Sequence, residues 1–193
     1  MGLLSELNID DPTTLDADEL EQQVAAGGLV PEGLHHAVLE GCREVQATAN
    51  KGYELTFKIL AGTARGMEVK DTAWFSEKAA KRAIIIGHRL GVLKKVTGQG
   101  GKHTFVEATP GRTFTDVLGA QCVIDVKHEP DEYTDDKGKK RQVTRVRLTF
   151  EGVLSLDDKK AKDVPRADAK AAAAMANSKP TAGVKPKDDF SDL

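Results

Sequence analysis

The residues able to do covalent or metal chemistry are few and scattered. Cys42 and Cys122 stand 80 residues apart, and His35, His36, His88, His103 and His128 share no metal-ligand spacing with them or with carboxylates. A zinc site needs close Cys and His pairs and a nucleophile needs an adjacent base, so neither chemistry is implied. Both thiols are expected as small buried hydrophobes. Gly98, Gly100 and Gly101 in TGQGGK match neither the Walker spacing nor a dinucleotide fingerprint, and no strand feeds into them. The expectation is a protein that is not an enzyme and needs no metal or cofactor.

Cations and aromatics are arranged with more order. Side chains alternate faces along a strand. YELTFKIL therefore puts Tyr53, Leu55, Phe57 and Ile59 on one face and Glu54, Thr56 and Lys58 on the other. MEVKDTAWF groups Met67, Val69, Ala73 and Phe75 and leaves Lys70, Thr72 and Trp74 opposite; RVRLTF sets Arg145, Arg147 and Thr149 against Val146, Leu148 and Phe150. If these strands adjoin, Lys58, Lys70, Trp74, Arg145 and Arg147 form one outward surface. Flanking loops add Lys51 beside Tyr53, and Tyr133, Lys137, Lys139, Lys140 and Arg141 from DEYTDDKGKKR. Cations that track phosphates around a ring that stacks on a base are what sequence-tolerant binding of single-stranded nucleic acid requires, at about 1–3 kcal/mol per stacked base. The only Trp of a small domain also suits a core position, and DDKGKK also suits a solvated hairpin turn. Convergence on one face favours binding.

The elements that would position these residues are mostly strands. HHAVLEGCREVQ, YELTFKILAG and MEVKDTAWF are β-branched or aromatic runs separated by Gly and Asn turns and read as a meander. SEKAAKRAIIIGHRLGVLKK follows as a helix, with Ser76 as N-cap and Ala79, Ala83, Ile86 and Leu90 on one stripe. GQGGKHTFVEATPGRTF is rich in turn residues, and LGAQCVIDVKHE and QVTRVRLTFEGVLSL form a second strand pair. Three strands, a helix and two strands is the layout of a five-stranded OB-fold Greek-key barrel with one helix between strands 3 and 4. A four-stranded sheet crossed by a helix is the competing architecture.

The 193 residues hold 39% hydrophobic and 30% charged side chains, which suits a soluble globular protein, and no apolar run is long enough to span a bilayer. MGLLSELNIDD is acidic where a signal peptide is basic, so a cytoplasmic protein is expected. The net charge of −2 conceals three parts. Residues 1–27 carry seven Asp/Glu and no Lys/Arg, with Asp16 and Glu19 as a capping box for one short helix. Residues 28–156 carry 20 Lys/Arg against 16 Asp/Glu and form the barrel. Residues 157–193, with KAAAAMA and scattered Pro and Lys, read as a flexible tail. Its tip, 187–193, sets Asp188, Asp189 and Asp192 around Phe190 and Leu193.

From Gly52 to Glu129 the chain resembles small phage-encoded single-stranded-DNA-binding proteins of OB type, a family long described as a domain of unknown function. The likeness lies in YELTFKILAGTARGMEVKDTAWF, the SEKAAKRAIIIGHRLGV helix and LGAQCVIDVKHE. KDDFSDL is similar to the acidic tip of bacterial single-stranded-DNA-binding proteins, which ends in Ile-Pro-Phe where this chain has an internal Phe and a final Leu. The resemblance implies a sequence-non-specific protein of phage DNA replication, recombination or repair, acting in the bacterial host cytoplasm. It implies recruitment of replication or recombination proteins through the tip. Such a barrel works as a monomer or a homo-oligomer, and a barrel that also binds double-stranded DNA or RNA is an alternative reading. The alternative from another class is a protein-interaction adaptor that binds no nucleic acid.

Overall fold

The computed structural model describes residues 28–47, 50–134 and 138–168. The expected leader helix, Lys137 and the acidic tip lie outside these residues. The described chain is mainly β with one α-helix: β1 (Gly33–Ala47), β2 (Asn50–Ile59), β3 (Glu68–Trp74), α1 (Ala80–Arg89), β4 (Leu93–Thr97), β5 (His103–Glu107), β6 (Gln121–Thr134) and β7 (Lys140–Leu154).

Five strands pair in the order β3-β2-β1-β6-β7. The β6-β1-β2-β3 part is a Greek key, since the fourth strand of the sheet returns beside the first. β1 is shared by both halves: it pairs with β6 from Gly33 to Val38 and with β2 from Ala37 onward, and an irregularity between Leu39 and Gly41 turns it from one to the other. The ladder is open between β3 and β7, so closure into a barrel is not a property of the hydrogen bonding.

Alternation in β2 and β3 is as the residue types dictate. Leu55, Phe57, Ile59, Val69 and Ala73 are buried with Ala37, Leu39, Cys122, Ile124 and Val126, and α1 covers them with Ala83, Ile86 and Leu90. The helix begins at Ala80; Ser76 closes the preceding turn through its carbonyl and is not the cap, which is Ala79 with no side-chain bond. The helix expected over residues 76–95 ends at Arg89, and residues 93–95 instead open β4, which pairs with β5 of the Gly-rich stretch as a two-stranded hairpin that departs from the five-strand expectation. Beyond Val126, β6 pairs with β7 alone, and the two continue as a ribbon. Pro130 fits there because its missing N–H faces no third strand.

The boundary expected at residue 157 falls inside packed structure. Ala161 and Val164 close over Val123 and Leu154, Ala167 packs on Val38 and Leu60, and Arg166 donates to the carbonyls of Leu156 and Ala161. The anchor is His36: its Nδ1 accepts the Ala167 N–H at 3.1 Å, and its Nε2 lies 3.1 Å from Gln121 Oε1. Few large apolar residues mark this segment, yet the sheet supplies the surface that buries them.

Candidate functional site

The open seam between β3 and β7 is a groove of about 560 Å³. Its β3 wall carries Lys70, Thr72 and Trp74, and its β7 wall carries Arg145, Arg147 and Phe150 above Val146 and Leu148. Trp74 is placed by its cross-strand partner. Gly52 pairs with Trp74, and a Cβ at position 52 would stand 2.6 Å from the Ala73 carbonyl oxygen and 3.1 Å from the indole, so only glycine lets the ring lie there.

Phe150 reaches the groove through a bulge. Between the pairs Ile124–Val153 and Val126–Leu148, β6 advances two residues while β7 takes five. Gly152 turns the chain at φ +58°, Thr149 Oγ1 accepts its N–H and donates to Asp125 Oδ2, and Phe150 emerges 75% exposed. Simple alternation puts Phe150 in the core, which is a correction to the sequence expectation; Gly152 inside a strand pattern was the available signal of a bulge.

Helix α1 fastens the two walls together. Arg82 Nη2 is 2.7 Å from Asp71 Oδ2 on β3, while the same guanidinium donates to the Phe150 and Thr149 carbonyls on β7 at 3.2 and 3.3 Å. Arg89 donates to the Glu151 and Val153 carbonyls. These four carbonyls lie in or beside the bulge, and the two arginines supply them with donors. Neither arginine's role is visible in the sequence, because it depends on where the bulge comes to rest.

Charge in the groove is mixed. Arg145 Nε lies 2.5 Å from Asp131, Arg147 Nε 3.2 Å from Glu129, and Lys127 pairs with Glu129. The hydrogen bond from Lys127, and then its charge and that of Arg147, hold the Glu129 carboxyl below the usual carboxylate range. Lys70 has no ion pair among the described residues.

Of the eleven expected DNA contacts, the groove collects Lys70, Trp74, Arg145 and Arg147. Lys58 shares the outward face with Lys70, but its ammonium is held 2.8 Å from Glu40. Lys51 and Tyr53 line a second groove with Glu44 and Phe75. Tyr53 is half-buried in an aromatic cluster with Phe75 and Phe114 and donates to Glu44; burial and then that bond push its phenol above the ordinary range. Tyr133, Lys139, Lys140 and Arg141 sit at the far end of the ribbon, where Lys140 pairs with Glu132. Asp188, Asp189, Phe190, Asp192 and Leu193 lie outside the described residues.

Burial pushes the thiols up, to about 11 at Cys42 and about 12 at Cys122, so neither is a thiolate near neutral pH. Among the described residues no three His, Cys, Asp or Glu side chains gather as a metal site, and no helix is long and apolar enough to cross a membrane. Among known proteins, no family model matches the chain and no curated sequence matches it.

Proposed function

We propose that the seam groove binds single-stranded DNA without sequence preference, with Trp74 and Phe150 stacking on bases and Lys70, Arg145 and Arg147 meeting phosphates. The observation that carries this reading is the pair of aromatic side chains on opposite walls of one cation-lined groove. A flat ring accepts any base, and stacking asks for bases that are not already paired. The Greek-key order, with the two open edges fastened by Arg82, supports an OB-type architecture whose barrel is completed by side chains across the seam. The resemblance to phage proteins supports a place in phage replication or recombination, with partners recruited by the acidic tip.

The test is a titration of the full chain with labelled oligo-dT and a matching duplex, reading anisotropy and the emission of the only tryptophan. Oligo-dT is expected to quench Trp74 and to bind more tightly than the duplex. W74A and F150A are each expected to weaken binding about 5- to 150-fold, as the loss of one stacked base implies. Binding without quenching, or unaffected by both substitutions, would remove the groove from the site.

One observation favours the adaptor. Tyr53, Phe75, Ala83, Ile84, Leu93 and Phe114 line an apolar groove of about 410 Å³ beside α1, with Phe75 half exposed, a surface suited to apolar side chains of a protein. Absence of binding to oligo-dT and to duplex by the chain with its tail removed would point there.

A further inference from the structure

Every cation that β6 and β7 bring to the groove faces a carboxylate of the same ribbon. Register explains the arrangement: Lys127 stands opposite Arg147 and Glu129 opposite Arg145, so the four side chains share one face and Asp131 adds a fifth diagonally. Glu129 Oε2 receives Arg147 Nε at 3.2 Å and is also shared with Lys127 through its other oxygen; Asp131 Oδ2 receives Arg145 Nε at 2.5 Å and lies 4.0 Å from Arg147 Nη2. Three cations thus meet two anions on this wall. Across the groove Lys70 stands without an ion-pair partner among the described residues.

Both arginine side chains are half exposed, and the carboxylates are 40% and 35% exposed. These are surface pairs, which cost little to rearrange. Their ion pairs use Nε on both arginines and a distant Nη2 on Arg147, so guanidinium N–H groups remain that an incoming phosphate can take while the carboxylate stays. Such a phosphate is oriented by the guanidinium and repelled by the carboxylate behind it.

We propose that Glu129 and Asp131 are affinity-setting residues of the groove: an internal counter-charge that holds Arg145 and Arg147 in place while subtracting from the attraction a phosphate backbone meets. This rests on the groove's being the nucleic-acid site. Binding then depends on bases reaching Trp74 and Phe150, and a backbone alone is held weakly. Polyanions without stackable bases are the ligands this wall disfavours.

Neutral isosteres separate charge from geometry, because Gln and Asn keep an oxygen that accepts the arginine hydrogen bond. Full-length E129Q/D131N is expected to bind oligo-dT about tenfold tighter than wild type at 50 mM salt, as two carboxylates several ångströms from bound phosphates imply. Its plot of log affinity against log salt should be steeper by up to about 1.4, the contribution of two further phosphate contacts on a single strand. D131N alone, which leaves Lys127 and Arg147 on Glu129, should give about half the effect on a logarithmic scale and serves if the double variant does not fold. Wild-type binding that quenches Trp74 together with variants no tighter and no steeper would overturn the counter-charge and leave the groove standing. No binding of oligo-dT by wild type or by either variant would overturn both.

Discussion

Arg82 is the side chain on which the two walls of the groove depend most directly. R82M keeps an unbranched apolar stem but removes one ion pair to Asp71 and two donations to the Thr149 and Phe150 carbonyls. Arg82 and Asp71 side chains are each 16% exposed, so the carboxylate left behind is largely shielded from water. Breaking a fully buried pair costs about 3–5 kcal/mol, and hydrogen bonds to charged groups contribute about 1.5–3 kcal/mol each. Some water reaches Asp71, which places the expected loss near 3 kcal/mol. For a domain of this size that is a fall of about 6–12 °C in Tm. Circular dichroism gives the Tm and urea titration the free energy, while Trp74 emission reports whether the wall beside it has moved. R82M/D71L, which no longer strands a carboxylate, should recover part of the loss. A cost below about 1 kcal/mol with unchanged emission would mean that the edges of β3 and β7 stay together without the clamp.

Two further perturbations probe how the sheet is shaped and sealed. G152A puts a Cβ 2.8 Å from the Arg82 guanidinium at a φ of +58°, so it should cost at least about 1–2 kcal/mol by urea unfolding and lower the exposure of Phe150 to collisional quenchers or chemical footprinting; a neutral outcome would contradict the bulge. His36 is held neutral by burial first, with Arg166 adding and Gln121 opposing, so its pKa lies below the ordinary value of about 6.5. The unfolded chain then binds more protons, and stability is complete above about pH 6.5 and falls as pH drops from there toward the folded value. Unfolding midpoints from pH 5 to 8 should show this slope, and H36Q should flatten it. The same acidification should open the Ala167 contact and admit protease to residues 161–168.

Local sequence determined the strands and their faces wherever pairing was uninterrupted. Residue types in YELTFKIL and EVKDTAW repeat with period two, and the sheet buries Leu55, Phe57, Ile59, Val69 and Ala73 accordingly. The stripe of Ala83, Ile86 and Leu90 likewise made α1 legible, and Lys70, Trp74, Arg145 and Arg147 could be assigned to one face before their strands were paired. What failed to show depended on pairs of residues far apart in the chain. The β4-β5 hairpin did not show because LKK of β4 continues the basic and apolar residue types of the helix before it, and the five residues of β5 sit among Gly and turn residues. Residues 157–168 looked like tail because their few apolar side chains are buried by strands that only the fold brings beneath them.

Tertiary structure also decided which expected contacts became a site. Lys58 and Arg145 look alike in sequence, yet one is bound by Glu40 beside the groove and the other lines it. Phe150 was assigned to the core by alternation and was turned out by a bulge that Gly152 permits and Arg82 and Arg89 hold. Period-two patterning reports one residue's relation to its neighbours in the strand. The width of a seam, the partner of a cation and the exit of a ring from a bulge are relations between strands, and chain connectivity does not encode them until the sheet has assembled.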